Sequence, residues 1–400
     1  MALTINSQPS EYASMHSELY FVVSSTNTSQ TNFKYVADIY VNSNLVARLK
    51  YYPDPTSLKG IINVGNVIRN YWASYFKPNV STPTLFSYTG SDIYITYEVK
   101  FGEEYGGVTY TNLEEVEKTA YNFYPDYFND VITAPLMQTL PSTIYFLTNR
   151  DRINIQFDKN NLLTQRCFIG YKATVTNTDV DLNVTVNTYT GNTNVGSYTG
   201  AKVTMKDFAL LDISPQAINT YLGTSAISSS IDRYFIEMYE DDSAIDGIQV
   251  ILDCQPKSRS LNLHFLNALG GYDTMNFSLV NKESRTGEKK SYSSAEYAYN
   301  STGATMDRKN SNNIYYGGAT NFWVEQGIAM KLTSNWVNQK EYRWLKELVY
   351  SPEVYLEWNN NFLPITITDS TWNEKKTFQD KTFNLELNIQ LSSKVNSQFR

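Results

Sequence analysis

Apolar and polar residues alternate with a period of two through much of this chain. Phe33, Tyr35, Ala37, Ile39 and Val41 fall on one phase, as do Ile93, Ile95, Tyr97, Val99 and Phe101, while Lys34 and Asp38, or Thr96, Glu98 and Lys100, take the other. Successive side chains of a strand point to opposite faces, so each set predicts a strand buried on one side in an antiparallel sheet. Further strands are expected at 152–157, 166–176, 180–188, 201–211, 231–239 and 247–253, with Gly191-Asn192 as a hairpin tip. Leu261, Leu263 and Phe265 lead into a turn at Gly270-Gly271 and a returning strand from Tyr272 to Val280. Val354 to Trp358, Leu363 to Ile367 and Phe383 to Leu391 close the chain with the same alternation.

Three stretches change period. Val64, Val67, Ile68, Tyr71, Trp72 and Tyr75 make one helical stripe before Pro78. A second short helix is framed by Ser214 as cap, Pro215 in the first turn and Gly223 at the exit. The third, about 339–350, starts where Asn338 precedes Glu341 in a capping-box relation, buries Trp344, Leu345, Leu348 and Val349, and stops at Ser351-Pro352. Two long stretches lack either period: 106–140, with Glu114-Glu115-Val116-Glu117 and the aromatic run Tyr121 to Phe128, and 281–321, which is polar and Tyr-rich. Both read as insertions or extended arms, which tend to carry contacts, with a solvated acidic turn and a tucked-in aromatic loop as the plainer reading of the first.

The resulting expectation is a mainly β chain of two or three antiparallel sandwich-like or jelly-roll-like domains, with a few short helices and long insertions. Its boundaries are a β-rich domain over 1–105 with one helix, a linker over 106–140, a second sandwich over 141–255, and a C-terminal β-rich domain over 256–400 that carries the extended loop 281–321. Four hundred residues exceed one core, which agrees with several domains.

Composition narrows the chemistry. With 33 basic against 40 acidic residues, the chain offers no basic excess for a phosphate backbone, so no direct nucleic-acid binding is expected. No run of 18 apolar residues occurs, so no membrane span is expected, and the N-terminus lacks the basic and apolar segments of a signal peptide. That reading places synthesis in a cytoplasm and makes the sequons at Asn27, Asn79, Asn183 and Asn276 chance products. Two Cys (Cys167, Cys254) and two His (His16, His264) leave little for metal or Cys/His catalysis. His264, on the polar phase of its strand, reads as a structural or surface histidine, and His16 as part of a frayed N-terminal segment. Glu103-Glu104 and Glu240-Asp241-Asp242 are adjacent acids, but neighbours on a strand diverge, and the second set reads as a hairpin tip. Asp241 to Gly247 lacks the spacing of a calcium loop and reads as a solvated turn. No enzyme, metal or cofactor is expected. Candidate contact residues are Tyr121, Phe123 and Tyr127 in the first insertion, Tyr297 and Tyr299 in the second, and Trp372 in a late loop, because aromatic residues dominate protein interfaces and sugar platforms alike.

Three phrases carry a family resemblance. Phe33-Lys-Tyr-Val-Ala-Asp-Ile-Tyr-Val with Arg48 to Pro53, the hairpin Leu263-His-Phe-Leu-Asn-Ala-Leu-Gly-Gly-Tyr-Asp-Thr-Met-Asn-Phe, and Leu348-Val-Tyr-Ser-Pro-Glu-Val-Tyr-Leu-Glu resemble tail or neck structural proteins of tailed bacteriophages, those of gut Bacteroidota, the crAss-like group and relatives. The resemblance implies a virion component made in the host cytoplasm, forming a homo-oligomeric ring or baseplate layer, with copies of itself and neighbouring tail or neck proteins as partners. It assigns no functional residues. A receptor-binding or carbohydrate-binding module recognising host glycans is the rival reading, and a wall-degrading or capsule-degrading enzyme the third.

Overall fold

The computed structural model describes residues 3–72, 76–90, 93–124, 142–156, 165–174, 178–253, 260–279, 281–369, 382–393 and 395–399. The chain divides into two compact units, Met1–Gln255 with His264–Met275, and Pro256–Leu263 with Asn276–Arg400.

The first unit holds two sandwiches. In one, a three-stranded sheet ordered Leu3–Ser7, Tyr20–Ser25, Gly60–Asn63 shares a core with a five-stranded sheet ordered Ala13–Ser14, Val108–Tyr121, Tyr94–Tyr105, Lys34–Val41, Asn44–Tyr51. The phase that alternation marked as apolar fills that core: Tyr35, Ala37, Ile39, Val99 and Phe101 are buried against Phe21, Val23 and Ile62. In the other, a four-stranded sheet ordered Phe146–Leu147, Phe168–Lys172, Phe208–Asp212, Phe86–Gly90 packs on a sheet ordered Arg152–Gln156, Ser243–Asp253, Arg233–Glu240, Asp179–Thr190, Thr193–Thr199, onto which Val203–Lys206 also pairs. Its core joins Ile169, Tyr171 and Leu211 of one face to Val184, Ile236 and Val250 of the other. Most pairings are antiparallel, as the hairpins require. Arg152–Gln156 with Ser243–Asp253 and Ala13–Ser14 with Val108–Tyr121 are parallel.

In the second unit, the order Val354–Trp358, Asn361–Ile367, Glu386–Leu391, Gly318–Thr333, Lys282–Ser294 forms a long sheet. Its helix, Gln339–Tyr350, carries the expected capping box, with the Asn338 side chain accepting from the Glu341 amide at 2.9 Å and Glu341 accepting from the Asn338 amide at 3.1 Å. Tyr342, Trp344, Leu345 and Leu348 are its buried face. Pro215–Leu222 also appears where its end signals put it, closed by Gly223 in the left-handed conformation.

Four expectations are corrected. The stripe from Val64 yields only a five-residue helix, Gly65–Arg69, with Val64 and Ile68 buried; residues 73–75 lie outside those described. Phe86–Gly90 leaves the first domain and pairs with Phe208–Asp212, because strand pairing joins segments regardless of their separation in sequence. Residues 108–121 are a strand rather than the start of a linker. The alternation there is hidden by a register shift between Phe101 and Glu103, and by a first half that buries nothing. Gly102 permits that shift: a Cβ there would sit 2.1 Å from the Tyr110 carbonyl oxygen. Residues 281–321, expected as an extended loop, are mostly paired strand. Among the described residues no helix is long and apolar enough to cross a membrane.

Candidate functional site

The acids and histidines that the sequence raised are mostly engaged by the fold. Glu103 is buried and accepts from the Asn27 side-chain amide at 2.8 Å, while Glu104 points the other way and is gripped by Lys50, Lys34 and Thr109. The Lys50 hydrogen bond, with Thr109 behind it, holds the Glu104 carboxyl down at about 2. Glu240 is buried under the Tyr171 hydroxyl (3.0 Å) and the Thr174 amide and hydroxyl. Asp241 and Asp242 form the left-handed tip of the hairpin Arg233–Glu240/Ser243–Asp253, where Asp242 meets Lys202 at 2.8 Å. Among the described residues no group of three or more His, Cys, Asp or Glu is placed to hold a metal ion. Cys167 is fully buried, and desolvation pushes its thiol up to about 12; Cys254 lies outside the described residues.

Of the two readings open for His264, structural or surface, the structure shows the structural one, whereas His16 departs from its expectation. His264 is buried between the rings of Phe76 (5.8 Å) and Phe168 (5.0 Å), with Nδ1 2.9 Å from the Thr274 hydroxyl oxygen. Its strand, Leu261–Leu266, is covered on both faces, so the polar phase is interior as well. His16 is not frayed: Nε2 lies 2.8 Å from Asn122 Oδ1, and Arg69 donates to the carbonyls of Met15 and His16. Burial lowers the His16 pKa, Arg69 adds to the lowering, and the Asn122 hydrogen bond opposes it. An unfolded histidine takes up its proton near pH 6.5, so below that value the unfolded chain binds more protons than the folded one and stability falls. Thermal melts of the native chain from pH 7.5 down to pH 5 should therefore show a decline below about 6.5 that is shallower in His16→Gln.

The feature left exposed is the arm. Lys282–Ser294 pairs with Gly318–Thr333 from Lys282↔Lys331 to Ser294↔Gly318, with one register shift at Lys290/Ser291. A strand of this length spans roughly 40 Å. Every residue of Lys282–Ser294 is exposed. Isolated two-stranded ribbons are only marginally stable in water, and this one gains support along its middle from Val395–Phe399, which pairs with Trp323 to Gln326. The Lys290 ammonium sits 4.5 Å from the Trp323 ring centre.

Two small hairpins form the tip, Tyr297–Asn300/Thr305–Arg308 and Asn310–Ser311/Ile314–Tyr315, the second turning through Asn312 and Asn313 at positive φ. Local bonds fix its shape: Asp307 accepts from Asn300 (2.6 Å) and Thr305 (2.9 Å), which pull its carboxyl below the ordinary range. Cross-strand pairing sets Tyr297 opposite Arg308 and Tyr299 opposite Met306, so these four share one face, while Ala298, Asn300, Thr305 and Asp307 share the other. Arg308 also lies 5.3 Å from the Tyr315 ring centre. Tyr297, Tyr299, Met306 and Tyr315 are 51%, 66%, 64% and 60% exposed, and they cluster rather than lie scattered. Tyr, Met and Arg on one face is the composition of interface centres.

Of the contact residues picked from sequence, Tyr297 and Tyr299 thus lie on this face. Tyr121 and Phe123 are corrected: they are 3% and 5% exposed, Tyr121 packing on the rings of Tyr12 and Tyr94 and the Phe123 carbonyl accepting from the Ser14 hydroxyl. Tyr127 and Trp372 fall outside the described residues. Sequence reasoning missed Met306, Arg308 and Tyr315 as members of the face. The Asn-Asn turn before Tyr315 was their readable signal.

No known protein family matches the chain, and no curated protein does. Among solved structures, the FN1–FN3 domains of chicken CNTN1 align with 10% identity and a TM-score of 0.17, over 62% of this chain and 66% of that one.

Proposed function

We propose that this chain is a virion structural protein of a tailed bacteriophage, assembling as a homo-oligomeric ring or layer of the tail, neck or baseplate and contacting copies of itself and neighbouring tail proteins. One observation supports the reading most: the arm is exposed along the whole of Lys282–Ser294 and ends in an exposed Tyr/Met/Arg face. Ordering a ribbon costs conformational entropy that its own packing hardly offsets, and docking on a partner supplies the missing burial. The three phrases that resemble phage tail and neck proteins supply the setting.

Electron microscopy of particles carrying the native chain tests the reading directly through copy number and neighbours. The triple substitution Tyr297→Ser, Tyr299→Ser and Met306→Ser should leave the melting temperature nearly unchanged, because these groups are exposed, yet cut incorporation into particles by about tenfold or more. Normal incorporation would remove the tip from assembly. Binding of the native chain to host glycans that these substitutions abolish, with assembly intact, would assign the tip to sugar recognition instead.

A further inference from the structure

The arm is one of several strand edges that end a sheet among the described residues, Asn44–Tyr51 and Thr193–Thr199 being others, and it is the longest of these three. Lys282–Ser294 ends its sheet, so the backbone groups on its outer side have no strand partner among the described residues. A further edge belongs to Val108–Tyr121. That strand pairs along one side with Tyr94–Tyr105, but on the other only Ala120 and Tyr121 are taken, by Ala13 and Ser14. Residues 114–119 therefore present a regular edge without a strand partner among the described residues; before them the strand breaks register at Asn112, which has φ +57°. An unpaired edge of this length is a template for another strand unless something covers it.

The two edges carry opposite charge. Lys282–Ser294 has four cations, Lys282, Arg285, Lys289 and Lys290, against Glu283 and Glu288. The stretch 114–119 has Glu114, Glu115 and Glu117 against Lys118, and Lys118 is engaged by Glu11 at 2.7 Å. Two copies of the arm edge would repel each other, and so would two copies of the acidic edge. Each edge suits the other.

We infer that Arg285–Lys290 of the arm edge of one copy adds as a strand to the acidic edge 114–119 of a second copy, through main-chain hydrogen bonds and opposite charge. This rests on the assembly reading above and names its interface. An antiparallel register with Lys289 opposite Glu115 sets Lys290 opposite Glu114, brings Lys289 diagonal to Glu117, and places no two like charges directly opposite. Glu115 is available for this: it is 57% exposed, and its partner Lys100 also holds Glu98 at 3.1 Å. Because the two patches differ, the contact is head-to-tail, so repeated copies close into a ring when their rotation divides a full turn and otherwise form a filament.

A charge swap in the full chain tests this by sedimentation at graded concentration. The native chain should associate, and more weakly in high salt. Lys289→Glu alone and Glu115→Lys alone should each weaken association about fivefold, and the two together in one chain should restore it, since the pair is re-formed with its signs exchanged. Circular dichroism confirms folding, which both exposed positions should tolerate. Association that ignores both single changes, or that the combined chain fails to recover, overturns the edge pairing while leaving assembly by other surfaces standing. A chain that stays monomeric at every concentration overturns both the pairing and the assembly reading.

Discussion

Asp212→Ala is expected to lower the unfolding free energy by about 3–5 kcal/mol, a large part of what a domain of this kind has. Asp212 is fully buried and forms an ion pair with Arg166, whose side chain is only 3% exposed. The same carboxylate accepts from the Ser214 amide at 3.0 Å, and Arg166 reaches on to the Asn79 carbonyl at 2.8 Å, tying the segment before Leu85 to the second sandwich. Removing the carboxylate takes its counter-charge from a buried cation and its acceptor from a backbone donor together, in a region where neither regains water. Urea denaturation at neutral pH measures the loss. Adding Arg166→Leu to Asp212→Ala should recover part of it, because the buried cation goes as well; a purely additive double variant would show that the two residues are not coupled.

Gly270→Ala should cost about 3 kcal/mol or more, for two reasons that a control separates. Gly270 has φ +83°, and a Cβ there would lie 2.2 Å from the Asn122 carbonyl oxygen, a backbone atom with little room to give. The surroundings are fixed: the Tyr124 amide donates to Ala268 at 2.6 Å, and Asn267 donates to the Leu147 carbonyl at 2.6 Å while accepting from Leu269 and Gly271. Gly191 has φ +58° with nothing near its missing Cβ, so Gly191→Ala should lose only the conformational part, about 1 kcal/mol. Equal losses in denaturant titrations of the two variants would mean that the close approach at Gly270 relaxes freely.

The contact face of the arm was legible only in fragments. Tyr297 and Tyr299 stood out as aromatic residues in a polar stretch, and Gly317-Gly318 marked its end. Pairing decided the rest: Met306 and Arg308 join the tyrosines because the turn through Ala304 sets them directly across, a register no spacing rule supplies. The aromatic run after Lys118 shows the opposite failure. Tyr121 and Phe123 look like exposed contact residues in one dimension, yet Ala13 and Ser14, more than a hundred positions earlier, come to lie beside them.

By itself the sequence determined the local grammar of this protein: strands where side chains alternate, the helix at Gln339–Tyr350 where Asn338 and Glu341 cap each other, and turns where Gly or paired Asn and Asp accept positive φ. Those are contests between a residue and its near neighbours, and side-chain chemistry settles them. Only the tertiary structure decided which strands meet, that the polar phase holding His264 is interior, and that Lys282–Ser294 and 114–119 remain edges without a strand partner among the described residues. Pairing and burial depend on segments far apart in the chain, so the same alternation serves a strand in the core and one at the rim, and a ribbon exposed on both faces leaves no hydrophobic period to read.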